Sequence, residues 1–260
     1  MHNRPLMFTI LGVVFAFLYI PISVLVALSF NDGGLPTAWT GFSLKWYGAL
    51  WDNAEILRAA LNTLIVALVS ASLATILGTL LAIGIEIRAR MGRWLESLIF
   101  APMIIPDIVL AIALLSFFSL LKVPMGLHTI IAAHVVFNLA FVCAVVRARL
   151  KSFDWSIVEA STDLGATATT TYRRIVIPVL APAIIAGALL AFTLSVDEFI
   201  IAFFTSGAGA SSTTLPMQIY AMIRFGVTPE INALATLVLG VSVTALALAQ
   251  RLNKGGLPGQ

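Results

Sequence analysis

The sequence predicts an all-α membrane protein with six transmembrane helices and cytoplasmic N- and C-termini. Three observations lead there. Of its 260 residues, 60% are hydrophobic and 10% charged, and the mean hydropathy is +1.03. Soluble domains carry about 25% charged residues, so most of this apolar surface must meet lipid or protein. The apolar residues also fall into six runs near the ~20 residues that cross a bilayer. No run alternates apolar and polar residues as a membrane β-barrel strand does. A cytosolic enzyme, a secreted disulfide scaffold and a disordered chain are thereby excluded. The single cysteine, Cys143, excludes an internal disulfide and a multi-cysteine metal cluster. The net charge of +3 would suggest nucleic acid in a soluble chain; here membrane orientation explains it better, and no nucleic-acid partner is expected.

Leu6–Phe30 is uncharged. It is too long for the apolar core of a signal peptide and is expected to stay as the first span. Residues 31–58 hold Trp39, Trp46, Tyr47, Trp51, Asp52 and Glu55, a composition that suits a short interfacial helix. Ala59–Ile85 is an uncharged second span, Ser97–Leu121 a third containing only Asp107, and Thr129–Val146 an uncharged fourth. Val179–Phe204 contains the adjacent acids Asp197 and Glu198, and Ile231–Gln250 is an uncharged sixth. With no internal repeat and no low-complexity tract, residues 1–260 read as a single transmembrane domain.

Lys and Arg set the direction. With the N-terminus inside, the inner segments hold eleven of them: Arg4, Arg88, Arg90, Arg93, Arg147, Arg149, Lys151, Arg173, Arg174, Arg251 and Lys254. The outer segments hold four: Lys45, Arg58, Lys122 and Arg224.

Residues 147–178 form an inner connection with helix punctuation. Asp154 or Ser156 can cap a helix start, and Ser156 with Glu159 has capping-box spacing. Gly165 stands where a left-handed residue would end that helix. Thr167 can cap a second short helix through Tyr172 to Arg174, and Pro178 then opens the next span. A helical hairpin on the cytoplasmic face offers a docking surface, with Trp155, Val158 and Leu164 as apolar knobs. A solvated loop with incidental caps is the competing interpretation.

Glu159-Ala160-Ser161, Gly165 and Ile175-x-Ile177-Pro178 resemble the EAA loop of importer-type ATP-binding-cassette permeases. Ser161 replaces the third-position alanine and Ile177 the usual leucine. The resemblance implies an importer-type permease fold whose coupling helices, at about 152–178, insert into a groove on a separate ATPase subunit. Glu159, Ala160, Ser161, Gly165, Ile175 and Pro178 are the positions carried over. Leu18-Tyr19-Ile20-Pro21, Lys45-Trp46-Tyr47, Pro106-Asp107-Ile108-Val109, the segment Phe192 to Glu198 and the segment Pro229 to Leu237 are similar to the spermidine/putrescine permease subfamily. There the second acid of the fifth-span pair is commonly Asp; here it is Glu198.

Charge at bilayer depth costs at least about 2.5–3.5 kcal/mol on insertion scales, so Asp107, Asp197 and Glu198 need partners or an aqueous path. No Lys or Arg lies within a span, so the chain offers no obvious counter-ion. A polyamine needs separated carboxylates for its ammonium groups and aromatic faces for its methylenes. Asp107 and Asp197 at different depths suit that, with Trp46 and Tyr19 as further pathway candidates. The structural alternatives are plain. Asp107 could bond backbone groups freed by Pro102 and Pro106. Trp46 could be an interfacial anchor and Tyr19 a packing residue. His128 and His134, six residues apart, lack metal-ligand spacing and read as structural; no metal site is expected. Glu230 reads as first-turn helix chemistry.

No G-x-x-x-x-G-K-[ST], H-E-x-x-H or G-x-S-x-G occurs. A transport subunit rather than an enzyme is therefore expected, with no cofactor of its own and with ATP and Mg bound by a partner. The expected partners are two ATPase subunits, a second permease in a homo- or heterodimer with the heterodimer favoured, a periplasmic solute-binding protein, membrane lipid and a small cationic substrate. The location expected is a bacterial inner membrane. The alternatives are the same importer class acting on an opine or amino-acid derivative, and an ATP-independent channel or carrier.

Overall fold

In the computed structural model, residues 4–34, 38–87, 92–224 and 226–254 are described. All regular elements among them are helical. They fall into two compact units, residues 1–57 with 219–260, and residues 58–218. Arg88 and Arg90 of the inner-charge pattern lie outside the described residues.

In the first unit, α1 (Arg4–Leu28) and the short α2 (Lys45–Asp52) each pack on α12 (Pro229–Lys254). The expected interfacial helix is thus α2. Asn31 organises the loop before it. Its Nδ2 donates to the Ala38 carbonyl at 2.7 Å, and its Oδ1 accepts from the Thr40 N–H at 2.8 Å. Glu230 lies in the first turn of α12, where its Oε1 accepts from Asn53 Nδ2 at 3.3 Å.

Most of the second unit is built on α3 (Ala54–Ile87, from residue 58 on), α4 (Gly92–Ile104), α5 (Asp107–Leu120) and α6 (Leu127–Leu150). Two short helices follow, α7 (Ser156–Asp163) and α8 (Ala168–Thr171), then a π-helical turn, Tyr172–Val176, and α9 (Ile177–Asp197). After α9 come α10 (Ile200–Thr205), a 3-10 turn (Ala210–Ser212) and the start of α11 (Leu215–Ile223).

Four helical stretches are long and apolar enough to cross a membrane among the described residues: Leu6–Leu28, Ala54–Ile87, Leu127–Leu150 and Ala168–Asp197. The expected third span is a bent pair, α4 and α5, meeting at 115°. Pro106 causes the bend: it cannot donate to the preceding turn, and it sits extended (φ −55°, ψ 136°) as the N-cap of α5. The expected fifth span ends early. α9 stops at Asp197, Glu198 is extended, and α10 begins at Ile200. Pro229–Val241 of α12 is a shorter apolar stretch.

The centre of this unit is α6, held between α3 and α9. Small residues recur every fourth position on both neighbours: Ser70, Ala74, Gly78 and Ala82 on α3, and Ala183, Gly187, Ala191 and Ser195 on α9. Spacing of this kind lets helix backbones approach closely. Val142 of α6 fills the gap between the two glycines. A Cβ on Gly78 would fall 2.9 Å from Val142 Cβ, and one on Gly187 would fall 3.3 Å from Val142 Cγ1. Ala74, Ala82, Val142, Val146 and Ala191 are all fully buried in one cluster. At the C-terminal end of α6, Arg147 binds both Glu96 carboxylate oxygens and lies 3.8 Å from Glu86.

Added methyl groups test this packing, because overfilling a tight contact costs typically 1–3 kcal/mol. Gly78→Ala is expected to destabilise the protein more than Gly187→Ala. Thermal unfolding in detergent, followed by size-exclusion chromatography, reads the order; equal midpoints would contradict the geometry.

Candidate functional site

Two places in the second unit collect the predicted site residues. The first is the hairpin after α6. Asp154 starts it: its Oδ1 accepts from the Ser156 N–H at 3.0 Å. Hydrogen bonds from the Ser156 hydroxyl and N–H hold its carboxyl below the usual aspartate range. The Ser156–Glu159 capping box expected from spacing is not made, because Ser156 already lies inside α7 and Trp155 is the N-cap residue.

α7 ends in a Schellman turn. The Ala166 N–H donates to the Ser161 carbonyl at 3.1 Å and the Gly165 N–H to the Thr162 carbonyl at 2.8 Å. Gly165 has φ +82°, with open space where a Cβ would stand. Its requirement is therefore conformational, not steric crowding. Thr167 caps α8 as expected, accepting from the Thr170 N–H at 3.4 Å. Ser161 faces inward, its hydroxyl 2.9 Å from that of Thr171, so the two short helices are clasped together.

The second arm differs from expectation. It does not stop at Arg174; it runs through the π-helical turn straight into α9. That turn contains Ile175 and closes with the Ile177 N–H on the Tyr172 carbonyl. The wider turn accommodates Pro178, which cannot supply the ordinary bond to residue 174. Hairpin arm and membrane helix are thus one rod, Ala168–Asp197, 30 residues long and about 45 Å by helical rise.

α7 has two faces. Val158 and Trp155, expected as knobs for a partner, pack on the chain's own core instead, and Trp155 meets Phe153 edge-on at 5.1 Å. Ile157, Ala160 and Leu164, at i, i+3 and i+7, form the exposed stripe, and Leu164 is 89% exposed. Glu159 and Asp163 beside it are exposed too.

The second place is the bend and the break. Asp107 is the first residue of α5, exposed, with no side-chain hydrogen bond or ion pair among the described residues. It does not bond the backbone groups that the prolines free. Asp197 ends α9 and is exposed; Glu198 turns inward, its side chain 7% exposed. The Glu198 carboxylate accepts from the Ile201 N–H at 2.9 Å and the Ala202 N–H at 3.0 Å. The α9 break thus arises because this acid caps the next short helix. α5 and α10 pack through Leu110, Ala111 and Ile201. That brings Asp107 and Glu198 within electrostatic range of each other.

His134, read as merely structural, stands next to Glu198. It is 1% exposed, its Nε2 is 3.6 Å from Glu198 Oε2, and its Nδ1 is 2.6 Å from Ser195 Oγ. Ser195 Oγ is also 3.0 Å from Ser70 Oγ. Polar residues at the membrane-helix interior of α3, α6 and α9 were the available signal, but their pairing is not local. Tyr19 and Trp46 belong to the first unit. Tyr19 is exposed on α1 and stacks on Phe15, with centroids 5.7 Å apart. Trp46 is half-buried, donates to the Asn31 carbonyl at 2.8 Å and carries Lys45 Nζ 5.1 Å from its ring centroid.

Residues 74–254 match the model of the binding-protein-dependent transport system inner membrane component family. The chain belongs to this family. The permease is 40% identical over 242 residues to the spermidine/putrescine transport system permease protein PotC of Escherichia coli K12, covering 93% of this chain and 91% of the relative. It is 44% identical over 256 residues to the putrescine transport system permease protein PotI of the same organism, covering 92% and 89%. In fold it is similar to a chain of a bacterial ABC transporter involved in import of the acidic polysaccharide alginate. That match has TM-score 0.75 and 16% identity, and covers 96% of each chain. It also resembles the inward-facing MetNI methionine transporter, at TM-score 0.65 and 18% identity, covering 81% of this chain and 99% of that one.

Conformation at Gly165 is directly testable. A non-glycine residue in the left-handed region costs roughly 1–2 kcal/mol. Gly165→Val is expected to lower the unfolding midpoint and Gly165→Asn to lower it less, because Asn tolerates that region. Equal midpoints for both variants and the parent would show that the turn does not need glycine.

Proposed function

We propose that this chain is the membrane-spanning subunit of an ATP-driven importer of polyamines, putrescine or spermidine, in a bacterial inner membrane. The observation that carries this is the 40–44% identity to PotC and PotI across nine-tenths of the chain. The clasped hairpin and the membrane acids support it. On this reading all of residues 1–260 act as one permease domain with six spans and both termini in the cytoplasm. The stripe Ile157, Ala160 and Leu164, with Glu159 beside it, docks on one of two ATPase subunits that bind ATP and Mg. Closure of those subunits drives the rod Ala168–Asp197 and switches the pathway between its two openings. A second permease completes the pathway as a heterodimer, and a periplasmic binding protein delivers the cation.

The carboxylates of Asp107, Asp197 and Glu198 receive the ammonium groups, each an interaction of about 1.5–3 kcal/mol when charge-assisted. Trp46 and Tyr19 are further candidates for contact with the methylenes. Lys45 Nζ stands 5.1 Å from the Trp46 ring centroid, a cation–π distance that supports this role for the ring.

Uptake of labelled putrescine and spermidine tests this. Asp107→Asn and Asp197→Asn are each expected to reduce uptake at low substrate by on the order of tenfold, while Asp52→Asn, on α2, leaves it unchanged. Normal uptake in both acid variants would remove the electrostatic basis for cation transport.

A further inference from the structure

A carboxylate held inside a membrane protein requires a positive partner or must give up its charge. No lysine or arginine lies in any span predicted from the sequence, yet Glu198 is almost fully enclosed. Its two oxygens accept backbone N–H groups from α10, which are dipoles and leave the net charge in place. The imidazole of His134 fills the remaining side. Its Nε2 faces Glu198 Oε2 at 3.6 Å and has no hydrogen-bond partner among the described residues. The other ring nitrogen is tied to Ser195 Oγ, which is tied in turn to Ser70 Oγ. Three helices thus fix the ring so that its one unengaged nitrogen points at the acid. From α3 the neighbouring side chain is the neutral Ser70, from α9 the acid Asp197 lies at the helix end, from α5 comes Asp107, and Glu198 itself stands between α9 and α10.

We propose that His134 is the built-in counter-ion of Glu198, and that a substrate ammonium reaching Glu198 takes its place. This rests on the polyamine reading for the identity of the incoming cation, but not for the pairing itself. With no organic cation beside Glu198, His134 takes a proton from water onto its ring, forming an imidazolium–carboxylate pair with no net charge. Arrival of an ammonium supplies the positive charge, and the ring returns that proton to water. Only an N–H bond forms or breaks, and charge is conserved. Glu198 is therefore never left without a positive partner through the transport cycle. His134 acts as a positioning residue: it touches Glu198, while Glu198 touches the substrate.

The pairing can be read without transport. The permease is purified in its native membrane assembly with ¹⁵N-labelled histidine, and the His134 resonance is assigned by its loss in His134→Gln. The protonation midpoint of His134 is expected to fall by about one pH unit or more in Glu198→Gln. A smaller fall is expected in Glu198→Asp, which keeps the charge and offers a second variant should the first assemble poorly. Saturating putrescine or spermidine is expected to lower the midpoint in the parent protein. An unchanged midpoint in both Glu198 variants overturns the proposal. A midpoint that responds to Glu198 but not to polyamine upholds the counter-ion and overturns polyamine as the cation. Uptake supplies an independent readout. The parent KM is expected to rise several-fold between about pH 8 and about pH 6, where imidazole takes up its proton, while His134→Gln has a flat profile. A pH dependence unaltered by His134→Gln contradicts the competition.

Discussion

The close approach of α3 and α9 to α6 is the constraint on which the rest of the second unit depends. Between membrane helices the hydrophobic effect supplies no drive for association, so contact and polar pairing must do it. Here small residues at four-residue intervals remove the side chains that would keep the backbones apart. Val142 then fits between Gly78 and Gly187. Two turns along the same interface the contact becomes polar, with Ser70, His134 and Ser195 in one hydrogen-bonded chain. An apolar fit and a polar latch across the same three helices fix both their distances and their register.

That register links the two functional places. α9 carries the Ser195 latch near one end and continues without interruption into the hairpin at the other. The clasp between Ser161 and Thr171 joins α7 to the same rod. The departure from the family pattern at Ser161 is thus used structurally: its hydroxyl is buried and paired, where an alanine would leave Thr171 without this partner. A force on the exposed stripe of α7 has a direct route along α9 to the break at Asp197 and Glu198. That route is continuous helix from Ala168 to Asp197, since the π-helical turn accommodates Pro178 without ending it.

What could be read from the sequence was local. Gly165, Thr167 and the amphipathic segment at Lys45–Asp52 act within a turn or two, so residue identity and spacing were enough. Pro106 signalled a disturbed helix, though not its 115° bend, which depends on where α5 packs. The break after Asp197 had no local marker. The run from Val179 to Phe204 contains no glycine or proline beside the acids, and what ends α9 is Glu198 capping the following helix. The neighbours of His134 are hidden from the sequence for a similar reason. Its partners Ser195 and Glu198 lie more than sixty residues away, and no periodicity links them. The Ser156–Glu159 spacing was a false signal, because α7 starts one residue earlier than it implies, with Asp154 accepting from the Ser156 N–H.

The central claim is that hairpin and α9 move as one body. Spin labels at Leu164→Cys and Leu189→Cys, both exposed positions, in a Cys143→Ala background would report their separation by pulsed electron resonance in the assembled transporter. One unchanged distance, with and without trapped nucleotide, is expected. A second distance appearing with nucleotide would mean that the hairpin swings on its own and that no force reaches the acids through this helix.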